Sequence, residues 1–208
     1  MERIVVVSDL HLGEEYSSLK DKMILNEFVN ELRGLGPIDQ FVLIGDILDL
    51  SMASFHEAVV DGKILFEALS NIDIKEIVYV PGNHDHHIWV LEVEYRDIVQ
   101  TIKNGNDPPS SPDYIRELKG NDSFISWIFP SSMRDRLTVK YPNHKAEIKE
   151  KNYFFHHGHY LSTEGGLLCG VDEAIEKNFP LNEFELHNSP IHELIQYQLE
   201  QSPIMQKK

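Results

Sequence analysis

Short apolar runs alternate with amphipathic stretches through the first 85 residues of the chain. The runs at residues 4–7, 41–44 and 77–80 lack polar alternation, which is typical of strands that are covered on both faces. The stretches between them place apolar side chains at helical spacing, as at Leu25 and Val29. This strand–helix repeat predicts a mostly parallel sheet with crossover helices.

Capping patterns predict where these helices start and end. Ser18 with Asp21, and Ser54 with Glu57, have the spacing of a capping box. Gly34 is placed to end the first helix. The two crossover helices are therefore predicted to start near Ser18 and Ser54.

The pattern changes after the third strand. Apolar residues step by three and four over residues 88–102, which predicts a third helix. Residues 104–123 are rich in Pro, Gly and small polar residues, as loop insertions are. From Leu137 onward, short β-rich runs separated by turn residues predict an antiparallel region. Two helical segments are predicted to close the chain, near residues 172–177 and 191–200.

Together these elements predict an α/β fold. We expect a layered α/β sandwich in which a mostly parallel first sheet packs near a second β-rich region. We also expect a single domain over residues 1–208, with a helical cap or insertion at about residues 88–130.

Charge and composition narrow the classes of function. The chain has 19 Lys and Arg residues against 34 Asp and Glu residues, a net charge of −15. Such a surface repels the phosphate backbone of nucleic acids. No apolar run approaches the roughly 18 residues of a membrane span, and Cys169 is the single cysteine, so no intrachain disulfide is expected. We expect a cytoplasmic protein without a membrane span.

Each predicted parallel strand is followed by side chains that bind metals or transfer protons. Residues that follow parallel strands meet at one edge of the sheet, so these groups are expected to converge. Crowded carboxylates repel one another unless cations neutralise them. The groups are Asp9 and His11 after the first strand, Asp46 and Asp49 after the second, and Asn83, His84 and Asp85 after the third.

Four short motifs carry a resemblance to a known family. The sequence reads Asp-Leu-His at 9–11, Gly-Asp-Ile-Leu-Asp at 45–49, Gly-Asn-His-Asp at 82–85 and His-Gly at 157–158. In order and spacing these segments resemble the D-x-H, G-D-x-x-D, G-N-H-D/E and H-G motifs of the calcineurin-like metallophosphoesterases. The resemblance covers residues 3–160.

The resemblance implies a dinuclear metal centre that hydrolyses phosphoesters. Asp9 and His11 would bind the first ion, Asp46 would bridge both ions, and Asn83 and His157 would bind the second. Mixed nitrogen and oxygen ligands suit Mn, Fe, Zn or Co. Two such divalent ions would hold the phosphoryl group and generate a metal-bound hydroxide.

The resemblance also implies a proton donor. His84 matches the imidazole that points to the leaving-group oxygen, which makes it the expected general acid. Asp49 matches the carboxylate that orients this imidazole. For Asp85, a cap of the following helix and a functional role are both left open.

One motif of the family has no counterpart here. The family continues with a G-H-x-H motif that gives each metal a further His, and no such motif follows His157. Either the chain is C-terminally shortened relative to its relatives, or other side chains complete the metal shells. His159 is the best placed of these, and His187 and His192 lie on closing segments that could fold back.

The other imidazoles and indoles have plainer expected roles. His86 and His87 are expected at the surface or in a substrate loop, His56, His144, His187 and His192 at the surface, and Trp89 and Trp127 as packing residues.

The preferred function is that of a metal-dependent hydrolase, a phosphatase or phosphodiesterase, acting on a small phosphorylated substrate. The bond cleaved is that of a phosphomonoester, phosphodiester or phosphoanhydride. The alternative is a catalytically impaired or non-catalytic scaffold with the same fold, which the absent motif favours and His84 opposes. A nuclease is disfavoured, because the sequence has no basic track. The substrate, the metal (manganese among the candidates) and the oligomeric state are left open.

Overall fold

The computed structural model describes residues 3–159 and 170–202. The strands of this part are β1 Ile4–Val7, β2 Ile38–Ile44, β3 Ile74–Val80, β4 Arg116–Lys119, β5 Leu137–Tyr141, β6 His144–Ile148 and β7 Lys151–Phe155. Five of them form one sheet with the order β1-β2-β3-β5-β4, and β6 pairs with β7 in a second sheet. In the main sheet β1, β2, β3 and β5 run parallel, and β4 runs antiparallel to β5.

Helices connect the parallel strands and follow the hairpin. They are α1 Lys22–Gly34, α2 Phe55–Leu69, α3 His86–Glu94, α4 Thr101–Lys103, α5 Ser131–Arg134, α6 Val171–Glu176 and α7 Leu181–His192. The π-helical segments Tyr95–Gln100 and Glu193–Leu199 prolong α3 and α7. As predicted, α1 lies between β1 and β2, and α2 lies between β2 and β3.

The main sheet has different partners on its two faces. Phe41 and Leu43 of β2 join a large core that includes residues of α1, α2 and α3. Val42 and Ile44 belong to a smaller cluster, against which Phe155 of β7 packs. Since neighbouring side chains of a strand point to opposite faces, helices cover one face and the hairpin covers the other. The predicted layered α/β fold is confirmed.

The second sheet is smaller than predicted. The strand expected to open it, Leu137–Tyr141, instead pairs in parallel with β3, as at Ile77 and Leu137, so this assignment was wrong. Part of the predicted loop insertion, Arg116–Lys119, forms the antiparallel edge of the main sheet. Both strands are short. A short run such as Leu137–Tyr141 does not reveal which sheet will pair with it, and Arg116–Lys119 has a single apolar residue, Leu118. The domain boundaries and the cap at about residues 88–130 stay predictions.

The starts of the two crossover helices confirm one predicted capping box. Ser54 accepts the backbone N–H of Glu57 at 3.2 Å, and the Glu57 carboxylate accepts the N–H of Ser54 at 3.0 Å. The box at Ser18 was wrong, because Ser18 begins a short 3-10 turn. Asp21 caps α1 instead, by accepting two backbone N–H groups of the first turn.

Several aromatic side chains differ from their predicted burial. His144 and His192 are buried rather than at the surface, and of the two alternatives for His86, the surface is wrong because its side chain is also buried. Trp89 is buried as predicted, whereas Trp127 is 63% exposed and was wrongly assigned to packing. Burial of a single polar or aromatic residue depends on partners distant in sequence, which local patterns do not contain.

Two further predictions concern other parts of the chain. Within the described ranges, the helices lack the combined length and apolar character that a membrane span requires. Cys169 and the side chain of His187 lie outside the residues that the structure describes.

Candidate metal centre

The loops that follow β1, β2 and β3 are joined by backbone hydrogen bonds. The N–H of Asp9 donates to the carbonyl of Gly45 at 3.1 Å, and the N–H of His11 donates to Asp46 at 2.9 Å. The N–H of Gly45 donates in turn to Val80 at 2.7 Å. Strand pairing therefore continues beyond the sheet and brings the predicted site residues together.

Three residues of these loops have a backbone conformation that side chains disfavour. The φ angle is 55° at Asp9, 46° at His11 and 54° at Asp46, which is the left-handed region. Such a conformation costs on the order of 1 kcal/mol for a residue with a side chain, although Asp tolerates it better than most. Backbone strain of this kind concentrates at functional sites.

Asp46 lies at the middle of the cluster. It belongs to two groups of potential metal ligands, one with Asp9 and His157 and the other with His11 and His84. Within each group, one ligand atom of every residue lies within 4.8 Å of the others. Carboxylate and imidazole donors fit a divalent transition metal, and a shared carboxylate fits a pair of such ions.

Asp49 holds two imidazoles from one side. Its Oδ2 lies 2.9 Å from Nδ1 of His11 and 3.2 Å from Nδ1 of His84. Its Oδ1 accepts the backbone N–H groups of Ser51 and Met52 at 2.9 and 2.6 Å. Because Nδ1 of each ring faces Asp49, Nε2 remains available to a metal or a proton. The contact with His84 is the predicted one, and the contact with His11 was not foreseen.

These contacts shift the protonation equilibria of all three groups. Burial acts to raise the pKa of Asp49, but its hydrogen bonds to His11 and His84 outweigh burial and hold the pKa far below its usual range. The hydrogen bond to Asp49 raises the pKa of His11. Burial acts to lower the pKa of His84, but Asp49 and the charge of Asp46 raise it overall.

His157 reaches the cluster from the end of β7. Its Nε2 lies 3.2 Å from Oδ2 of Asp46 and 3.1 Å from Oδ1 of Asn83, and its Nδ1 lies 3.3 Å from the carbonyl of Ile44. Burial acts to lower the pKa of His157, but the hydrogen bond to Asp46 outweighs it and raises the pKa to about 9. A cation at this position would compete with the Nε2 proton for the same oxygens.

Two glycines allow these close approaches. Gly45 has a φ of +76°, and a Cβ there would overlap the ring of His157. A Cβ at Gly82 would lie 2.7 Å from the backbone nitrogen of Asp46. Both glycines belong to the motifs that carry the family resemblance, so the sequence indicated that they lie at the site. Their role in allowing close packing was not predicted.

Asp85 is a carboxylate completely buried beneath the cluster. Its Oδ1 accepts the N–H groups of Gly82 at 2.5 Å and Asp46 at 3.3 Å. Its Oδ2 accepts the hydroxyl of Tyr79 at 2.6 Å and the N–H of Ile47 at 3.0 Å. Burial, with the charge of Asp46 adding to it, raises the pKa of Asp85. Its side chain does not cap α3, so of the two alternatives left open, the helix cap was wrong.

Two of the three imidazoles proposed to replace the absent motif, those of His159 and His192, lie near His157. The ring centroid of His159 is 5.6 Å from that of His157 and 4.2 Å from that of His192. Among the described residues, neither His159 nor His192 belongs to the two ligand groups. His159 therefore lies close to His157, as its position two residues further along the chain predicts. That His159 binds a metal stays a prediction.

Comparison with known proteins identifies the family of the chain. The family model of the calcineurin-like phosphoesterases matches residues 2–195. Because the match spans most of the chain, the protein belongs to the calcineurin-like phosphoesterase family, as the motifs predict. Comparison with curated proteins gives no match.

Proposed function

We propose that the protein is a hydrolase of a phosphoester or phosphoanhydride that uses two divalent metal ions. The observation that supports this most directly is that Asp46 is shared by two groups of potential ligands. The ions would be held by Asp9, His11, Asp46, Asn83 and His157. When bound, such ions supply an activated water and offset the negative charge that develops on the phosphoryl group.

The role that we propose for His84 is to protonate the leaving group. Its Nδ1 faces Asp49, so the ring is oriented with Nε2 free for proton transfer. The raised pKa of His84 favours the protonated form that a general acid requires. The competing assignment is a metal ligand, because His84 also shares a ligand group with Asp46.

The experiment that tests the function is a metal-dependent turnover assay. A chromogenic phosphomonoester and the matching phosphodiester are incubated with the protein and with Mn²⁺, Zn²⁺, Fe²⁺ or Mg²⁺ in turn. We expect turnover of at least one ester, dependent on the metal and abolished by a chelator. Absence of turnover with all four metals, from a protein that binds them, would favour the non-catalytic scaffold.

The two assignments of His84 are separated by the variant His84→Ala. As a general acid, His84 would contribute a factor of about 10² to 10⁴ to kcat, and the variant would keep its metals. As a ligand, it would lose metal together with activity. Elemental analysis beside steady-state kinetics distinguishes the two results. His56→Ala, at an exposed imidazole on α2, is the matched control and should retain both properties.

A further inference from the structure

A cleft opens beside the candidate metal centre, on the side of His11 and His84. It encloses about 370 Å³, and its lining includes both imidazoles and Asp49. This volume is in the range of sites that bind small molecules. If His84 protonates the leaving group, the departing part of the substrate lies in this cleft.

Two exposed side chains with apolar surface form part of its lining. Tyr16 is 81% exposed and Met52 is 62% exposed. The backbone of each is held in place, since the N–H of Met52 donates to Asp49 at 2.6 Å and the N–H of Tyr16 donates to Glu14 at 2.7 Å. A flat apolar group in the cleft that packs against these side chains would remove part of their exposed surface from water, which is favourable.

The lining is also acidic. It contains the carboxylates of Asp9, Glu14 and Asp49, and none of its described residues is Lys or Arg. Asp9 is a potential metal ligand. Asp49 contacts the imidazoles of His11 and His84. Among the described residues, Glu14 belongs to neither group of potential metal ligands, and its carboxylate accepts the N–H of Tyr16 at 2.7 Å. Its charge therefore acts on a ligand group that lies beside Tyr16.

We infer that the substrate is a small phosphoester whose leaving group is a flat, apolar ring without negative charge. The ring packs against Tyr16 and Met52, and Glu14 disfavours leaving groups that carry a carboxylate or a further phosphate. The inference rests on the proposed function, since hydrolysis defines which part is the leaving group. It makes nucleoside triphosphates and nucleic acids poor substrates, and it makes Tyr16 and Glu14 residues that determine specificity.

Binding of three phosphonates tests this inference without requiring turnover. Methylphosphonate, phenylphosphonate and 4-carboxyphenylphosphonate are titrated into the metal-loaded protein by calorimetry. We expect phenylphosphonate to bind about fivefold tighter than methylphosphonate, from the contact with the ring of Tyr16. We expect the added carboxylate to weaken binding about fivefold, as a partly exposed like charge does.

Variants assign each preference to its residue. Tyr16→Ala should remove the preference for phenyl over methyl, and Tyr95→Ala, at a partly exposed ring outside the cleft lining, should keep it. Glu14→Gln should remove the discrimination against the carboxylate, and Glu15→Gln, at the neighbouring exposed acid, should keep it.

The outcomes also separate this inference from the proposed function. Equal dissociation constants for the three phosphonates, or no binding of phenylphosphonate, would overturn the inference. The methyl, phenyl and 4-carboxyphenyl esters are then assayed for hydrolysis. Phosphonate binding in the expected order, without hydrolysis of any ester, would support the ligand preference and overturn the proposed hydrolysis. Hydrolysis of all three esters at equal kcat/KM would support the proposed hydrolysis and overturn the ligand preference.

Discussion

The two halves of the candidate metal centre are attached to the protein in different ways. In the Asp49 half, His11 and His84 come from loops of the parallel sheet and share one buried carboxylate, Asp49. In the His157 half, His157 comes from the end of the β6–β7 hairpin and rests on Gly45. One half is thus built into the main sheet, and the other half is packed against it.

Asp46 joins the two halves. Its Oδ2 lies 3.2 Å from Nε2 of His157, and its Oδ1 accepts the backbone N–H of His84 at 2.9 Å. From below, Asp85 accepts the backbone N–H of Asp46. Changes at Asp46 should therefore affect both halves, whereas changes at the Gly45 contact should affect the His157 half alone.

The largest effect is expected from Asp46→Asn. Asn tolerates the left-handed φ of this position, so the backbone should remain while the shared charge is lost. We expect loss of both ions and a fall in activity of about 10³-fold or more, because both sites lose a ligand. Elemental analysis and steady-state kinetics measure this, with Asp73→Asn at an exposed acid as the control. A variant that loses one ion only would contradict the joint role of Asp46.

Gly45→Ala should break the His157 half selectively. The added Cβ would overlap the ring of His157 at a backbone φ of +76°, so His157 must move away from Asp46. We expect the loss of one ion and a fall in activity of about 10²-fold, because His157 would no longer be held in position to bind it.

Gly34→Ala is the matched control for that variant. Gly34 lies in α1, and a Cβ there meets no atom within 4 Å. It should keep both ions and gain about 0.5 kcal/mol of stability from the better helix propensity of Ala. Metal titration and thermal unfolding distinguish the two. Loss of both ions in Gly45→Ala would show that the halves are not independent.

Asp85→Asn should weaken the support beneath both halves at once. The amide cannot accept from Tyr79 and several backbone N–H groups as the carboxylate does, and unsatisfied buried donors cost about 1 to 3 kcal/mol. We expect a lower melting temperature and weaker, but equal, binding of both ions. Asp39→Asn, at the surface ion pair with Lys75, should change stability little. An unchanged melting temperature for Asp85→Asn would contradict its supporting role.

The smallest effect is a pH dependence of the metal-free protein. The folded pKa of His157 is raised to about 9, above its ordinary value of about 6.5. Its contribution to stability is therefore fully present below about pH 6.5 and is lost as the pH rises through 9. With chelator present, the melting temperature should fall across this range, and His157→Gln should reduce the fall. His56→Gln is the control, and equal pH profiles for the two variants would contradict the assignment.

The Asp49 half was the more predictable from the sequence. His11, Asp49 and His84 follow three parallel strands, and the geometry of such sheets brings strand ends together. The role of Asp85 was not predictable in the same way, because its partners belong to another loop, at Asp46 and Ile47. A carboxylate before a helix has the same local pattern whether it caps that helix or supports a distant loop.

The His157 half depended on the motif rather than on periodicity. Nothing in the local pattern after β7 indicates that His157 packs on Gly45, since that contact spans more than a hundred residues of sequence. The burial of His144 was not predicted for the same reason. Its Nε2 lies 2.7 Å from Oε1 of Gln40 in β2, which is distant in sequence. Contacts across the two sheets are set by tertiary packing, which no short window of sequence contains.

The left-handed backbone at Asp9, His11 and Asp46 bears on how such a site persists through evolution. Gly would adopt these φ angles without the steric cost of a side chain. Because most proteins are only marginally stable, substitutions that relieve strain are readily tolerated once a site is no longer needed. A lineage that used this fold only as a scaffold would thus be free to drift towards Gly at all three positions. The chain carries Asp, His and Asp there, so the disfavoured backbone coincides with side chains that can bind a metal.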